Sequence, residues 1–155
     1  MDYSYFNMQN MYTIGFSGKK QSGFFEILHV SDITKLLDIR LYRTSCFVPW
    51  ASSGNLAKDC HNHNIDYAVI PEMFPTGELL KSYKNRAIDW TSYEQIFNNL
   101  LADRQVEKLF SPESLNNICF LCSEKSADMC HRRLVAKTLY RYTYNLFVIN
   151  LIKSP

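Results

Sequence analysis

Residues 117–152 read NICFLCSEKSADMCHRRLVAKTLYRYTYNLFVINLI, and this stretch decides the fold. Asn117–Cys122 is a short, almost uninterrupted apolar run, as expected of a strand buried on both faces. Ser126 or Asp128 is the N-cap expected for the long helix that follows, which runs to about Tyr142. Leu134, Val135, Thr138, Leu139 and Tyr142 form its expected buried stripe, and Leu146–Ile152 closes the chain as another apolar strand. One strand, a crossover helix and a second strand make a parallel β-α-β unit.

The same alternation extends back to the start of the chain. Met11–Ile14, Lys35–Ile39 and Asp66–Ile70 read as strands, and helices are expected over Gly23–Val30 (capped by Ser22), Asn55–His61 and Glu78–Tyr83. Thr91-Ser92-Tyr93-Glu94 has the form of a capping box and opens a helix to about Arg104, with Tyr93, Ile96, Phe97, Leu100 and Leu101 on its inner face. Arg40–Ser53 is a long loop. The fold expected is a single three-layer, Rossmann-like α/β domain over residues 11–155, with a mostly parallel sheet of about five strands, preceded by an N-terminal extension over 1–10. Such sheets bind ligands beyond the carboxyl ends of their strands. If the first and fourth strands are neighbours, the loops after Ile14, Ile39 and Cys122 converge there.

Composition narrows the class. The 155 residues carry 17 Lys+Arg against 15 Asp+Glu, and this balance leaves no bulk electrostatic footprint for nucleic acid. No apolar run approaches the roughly 20 residues of a membrane helix. Met1–Asn10 lacks the basic and apolar regions of a secretion signal, so the expected location is the cytoplasm. Five cysteines, an odd number, point to free thiols or a metal site rather than to disulfide staples.

The chemistry-bearing residues cluster at the expected strand ends. Cys122-Ser123-Glu124 is followed by Cys130-His131-Arg132 at a helix start, where backbone amides and an arginine favour a thiolate. Cys122, Glu124 and His131 are the candidate catalytic residues, as nucleophile and proton-transfer groups. Equally, Cys122 and Cys130 read as small apolar core residues and His131 as a hydrogen-bonded core histidine. Cys119 and Cys122 have C-x-x-C spacing, but in a strand they point to opposite faces, which disfavours joint metal binding. Asp38-Ile39-Arg40 reads either as a structural ion pair or as a placed guanidinium for phosphate or carboxylate. Gly15, Ser17, Asp38, Arg40, Ser45, Cys130 and Arg132 complete the candidate ligand-binding set.

These residues also carry a resemblance. Tyr12-Thr13-Ile14-Gly15-Phe16-Ser17, Asp38-Ile39-Arg40, Asp66-Tyr67 through Pro71-Glu72-Met73, and Leu121-Cys122-Ser123-Glu124 with Cys130-His131-Arg132 resemble the motifs of domain-of-unknown-function family 488, from about Met11 to Leu151. Many members have His where this chain has Phe16, and a Pro and Arg in the loop around Arg43 and Cys46. The resemblance implies a compact α/β fold and places Gly15, Ser17, Asp38, Arg40, Cys122, Glu124, Cys130, His131 and Arg132 in one site. It brings no established function.

The leading expectation is a strand-end pocket for a small anionic or nucleotide-like ligand, of phosphate-bearing type, with thiol-based chemistry and no cofactor or bound metal. A nucleic-acid-binding accessory module, using Lys19, Lys20, Lys81, Lys84 and Arg86, is the less favoured alternative. A metal site of Cys122, Cys130 and His131 ranks last.

Overall fold

The computed structural model describes residues 8–143 and 145–152. Five strands, β1 (Gln9–Gly15), β2 (Lys35–Asp38), β3 (Asp66–Val69), β4 (Ile118–Cys122) and β5 (Leu146–Leu151), form one sheet in the order β3-β2-β4-β1-β5. Every neighbouring pair is parallel. The helices are α1 (Gln21–Val30), α2 (Ser53–Asn62), α3 (Gly77–Lys84), α4 (Trp90–Asp103) and α5 (His131–Arg141).

Strand alternation divides the core into two layers. Tyr12, Ile14, Leu36, Cys119 and Leu121 pack on one face with Phe24, Phe25 and Leu28 of α1 and Leu56 and Cys60 of α2. Met11, Leu37, Ile118 and Phe120 pack on the other with Phe97 and Leu101 of α4 and Leu134, Val135 and Leu139 of α5. This is the three-layer α/β arrangement expected. No helix among the described residues is long and apolar enough to cross a membrane.

Helix starts differ from those expected. α1 begins at Gln21, with Lys20 at the cap position and no side-chain bond, so Ser22 lies inside the first turn. Asp89, not Thr91, caps α4 by accepting the Ser92 amide at 2.8 Å, which leaves the Thr91–Glu94 box inside the helix. α5 starts at His131. Ser126 and Asp128 bond each other in the preceding loop and cap nothing. Only α4 has a rival side-chain cap, Asp89; α1 and α5 start at Lys20 and Cys130 with no side-chain cap bond, within a turn or so of the expected residues. Tyr142 and Ile96 are exposed rather than buried, because each sits at the outer edge of its stripe. β1 begins at Gln9, so Gln9 and Asn10 pair with β5, while the rest of the extension over 1–7 lies outside the described residues.

Glycine content also makes a local prediction. Gly54, in the first turn of α2, has open space where a side chain would stand. Gly54→Ala is expected to stabilise the protein by about 0.4–1 kcal/mol in urea denaturation, through the lost backbone freedom of the unfolded chain.

Candidate functional site

β1 and β4 are adjacent, and their parallel pairing runs to Gly15 opposite Cys122. Beyond the strands the two loops stay together: the Phe16 amide donates to the Cys122 carbonyl and the Ser17 amide to the Ser123 carbonyl. The loop then leaves the sheet and returns at Cys130, immediately before α5.

The centre of the site is a fully buried guanidinium. Arg132 has no exposed surface. Its Nη1 donates to the Cys122 sulfur at 2.8 Å and to the Glu124 carbonyl, and Nη2 reaches the Lys125 carbonyl at 3.4 Å. Its Nε has no acceptor, and no carboxylate pairs with it, among the described residues. A buried cation without a counter-charge is costly. Cys122 is the group placed to supply that charge.

The sulfur's surroundings agree. Burial alone raises a thiol, but a hydrogen bond from Cys130, the Arg132 charge and the Glu124 backbone amide outweigh it, and Cys122 titrates below an ordinary thiol. The Cys130 sulfur lies 2.9 Å from it and is shifted the opposite way, first by that same bond and then by burial. The opposite shifts make the Cys130 S–H the donor and the Cys122 sulfur the acceptor. Lys19 adds positive charge nearby: its Nζ donates to the Gly15 carbonyl at 2.8 Å, and burial together with the Arg132 and Lys125 charges lowers its pKa. Gly15 is what permits this approach. A Cβ there would fall on the Glu124 carbonyl oxygen and close to Arg132 Nη1.

Asp38 and Arg40 form a second buried unit. Arg40 Nε donates to Asp38 Oδ1 at 2.8 Å and Nη2 to Oδ2 at 2.5 Å, while Nη1 donates to the Ala51 carbonyl at 2.8 Å. The Arg40 guanidinium also lies over the Phe16 ring. The Tyr67 hydroxyl donates to Asp38 Oδ2 at 2.6 Å, and burial first, then this bond, pushes the phenol up to about 12. By strand alternation Asp38 shares a face with Leu36, on the α1–α2 side, whereas Cys122 shares a face with Phe120, on the α5 side. Neighbouring strand ends thus carry two separate polar networks. Tyr67→Phe is expected to cost about 1.5–3 kcal/mol in urea denaturation, the worth of a hydrogen bond to a charged acceptor, and to leave the Cys122 titration unchanged.

His131 bridges the two networks through the backbone. Its Nε2 donates to the Ile39 carbonyl at 2.8 Å, and its ring meets Phe97 edge-on. Burial pulls its pKa down to about 4 despite that bond. An imidazole held neutral when folded stabilises the protein above the unfolded histidine value of about 6.5. That contribution is lost as pH falls from there towards 4. His131→Gln is expected to flatten the stability profile across this window, measured by chemical denaturation at several pH values.

A cleft of about 440 Å³ opens over these strand ends. Cys122, Cys130, His131, Glu124 and Arg40 line it, along with Lys84, Lys125 and an aromatic wall of Tyr83, Trp90 and Tyr93. Trp90 and Tyr93 are stacked, 5.2 Å between ring centres. The sequence did not disclose this wall, because it is built by α3 and the start of α4 meeting across a turn. The Glu124 carboxylate is exposed and makes no ion pair among the described residues. A larger groove, about 1030 Å³, lies between α5 and β5 and contains none of the candidate residues.

The remaining candidates stand apart from the cleft. Ser17 borders a separate surface hollow with Lys19, Lys20 and Lys125. The Ser45 hydroxyl accepts the Val48 amide and shapes the Arg40–Ser53 loop. Among the described residues no three His, Cys, Asp or Glu side chains converge as a metal ion requires. Contrary to the last-ranked expectation, Cys122, Cys130 and His131 do not form such a group, and His131 donates from Nε2 to the Ile39 carbonyl instead. Cys60 is packed in the α1–α2 layer and gives no metal ligand with His61 and His63.

Fold and site together define a parallel α/β domain with a thiol–arginine pair buried beneath a strand-end cleft. The chain belongs to the family described as Domain of unknown function DUF488, whose model matches residues 20–139. That span includes the Asp38-Ile39-Arg40 and Leu121–Arg132 motifs, while Tyr12–Ser17 precedes it. No curated protein and no solved structure matches the chain.

Proposed function

We propose that the cleft binds a small anionic ligand of the phosphate-bearing class and that Cys122 acts on it as a thiolate nucleophile. The observation that carries this reading is Arg132, fully buried and hydrogen-bonded to the Cys122 sulfur without a carboxylate partner among the described residues. When the sulfur forms a covalent bond its charge is consumed, and the buried guanidinium needs another anion. A reactant that carries negative charge supplies it; a neutral one does not. Lys84 and Lys125 stand in the cleft wall together with two carboxylates, Glu124 and Asp128, so the preference for an anion rests on Arg132, and Trp90 and Tyr93 offer a flat apolar surface beside the anion. Glu124, exposed in the cleft wall, is the proton-transfer group in this reading. Arg40, already committed to Asp38 and Ala51, fixes the shape of the floor.

Two alkylating probes test the proposal. Iodoacetate and iodoacetamide differ chiefly in charge, and an exposed thiol such as Cys46 supplies the internal reference. At Cys122 the ratio of iodoacetate to iodoacetamide rate is expected to exceed that at Cys46 by at least about tenfold, which corresponds to roughly 1.4 kcal/mol of preference for the anion. Inorganic phosphate is expected to slow the reaction at Cys122 alone. Equal ratios at the two cysteines, with no protection by phosphate, would overturn the reading.

A further inference from the structure

Cys122 and Cys130 are the one close cysteine pair among the described residues. Their sulfurs are 2.9 Å apart, while Cys46 is exposed and alone and Cys60 and Cys119 are packed in the opposite layer. A disulfide of about 2.05 Å requires the sulfurs to approach by less than roughly 1 Å. The chain between them can accommodate that. Ser123–Met129 is loop, mostly exposed, and Cys130 stands at the N-cap of α5 just after Met129 in a left-handed conformation.

Access selects the oxidant. Cys122 is 1% exposed and Cys130 2%, so a bulky disulfide cannot reach either sulfur in line. A hydroperoxide of a few atoms can enter through the cleft. We propose that Cys122 and Cys130 form an oxidisable pair, in which Cys122 is oxidised by a small hydroperoxide and Cys130 closes the disulfide. The proposal rests on the reading of Cys122 as a nucleophile and adds a reversible off-state to that site.

The chemistry balances without further partners. The Cys122 thiolate attacks the terminal peroxide oxygen, the O–O bond breaks, and the leaving oxygen takes a proton from solvent to depart as water or an alcohol. Cys122 is then a sulfenic acid. Cys130 attacks that sulfur, the S–O bond breaks, and the Cys130 proton leaves with the hydroxyl group as water. One thiolate, one thiol, one solvent proton and one hydroperoxide give a disulfide, an alcohol or water, and one more water. Closure removes the negative charge beside Arg132, so the reduced pair is the electrostatically favoured state, and in the folded protein only a reductant small enough to enter the cleft reopens the disulfide.

The test uses the full chain carrying Cys46→Ser, reduced and then exposed to equimolar hydrogen peroxide. The protein is quenched in acid, alkylated under denaturing conditions and analysed by intact mass and peptide mapping. The expected result is the loss of two hydrogens in mass, alkylation confined to Cys60 and Cys119, and a Cys122–Cys130 cross-linked peptide that dithiothreitol removes. Cys130→Ser is expected to stop at added oxygen on Cys122. Added oxygen on Cys122 with Cys130 still free in the parent protein would overturn the inference, as would an unreacted pair. The iodoacetate ratio separates the two levels. If Cys122 prefers the anionic probe and no disulfide forms, the redox inference alone falls; if neither occurs, the nucleophile reading falls with it.

Discussion

Cys122→Ala is expected to destabilise the protein by about 3–5 kcal/mol in urea denaturation, far more than the loss of one sulfur atom explains. Cys119→Ala, three residues earlier in the same strand and equally buried, is expected to cost only about 1 kcal/mol. The difference lies in what each sulfur faces. Cys119 sits among apolar side chains, and burial raises its thiol well above the ordinary range. Cys122 faces Arg132 at 2.8 Å, and removing it strands a buried guanidinium. Cys122→Ala combined with Arg132→Met is therefore expected to recover most of the loss, because an apolar side chain of similar length needs no counter-charge. A double variant no more stable than Cys122→Ala alone would mean that Arg132 is satisfied by the Glu124 and Lys125 carbonyls without the sulfur.

Gly15→Ala is expected to be comparably damaging, at about 3 kcal/mol or more, or to prevent folding outright. The cause is space rather than backbone conformation. The added Cβ would coincide with the Glu124 carbonyl oxygen and press on Arg132 Nη1. Those two groups are bonded to each other beside the end of β1, and Arg132 is fixed further by its bonds to the Cys122 sulfur and the Lys125 carbonyl. Relief requires the Ser123–Lys125 backbone to move, which takes the Glu124 amide away from the Cys122 sulfur. Where Gly15→Ala protein can be purified, its Cys122 is expected to titrate higher than in the parent; an unchanged titration would show that the loop is not held in the way described.

The layout of the sheet was legible because buried parallel strands leave near-continuous apolar runs, as in Asn117–Cys122, and helices between them leave a 3.6-residue period. The adjacency of β1 and β4, and with it the convergence of Gly15 and Cys122, was a condition that the layout left open and that the strand order meets. Helix starts were less legible. Ser22, Thr91, Ser126 and Asp128 are all good capping residues, and the structure chose Asp89 or backbone alone. Arg132 is the instructive case. Its charge suggested a ligand-facing side chain, yet it stands four and seven residues before Ala136 and Leu139 on the buried stripe of α5. The helical period carried that signal, and residue type obscured it. The contact of Cys122 with Cys130 and the wall of Tyr83, Trp90 and Tyr93 depend on the paths of loops, which leave no periodic trace.

The most direct test of the account is an ultraviolet thiolate titration of the folded Cys46→Ser protein beside the same protein carrying Cys122→Ser. The account predicts one thiolate in the parent at neutral pH, titrating well below an ordinary cysteine and absent when Cys122 is replaced. If the two proteins give the same curve, with no thiol ionising below the ordinary range, Cys122 is a neutral core residue, and the charge balance proposed for Arg132 is contradicted.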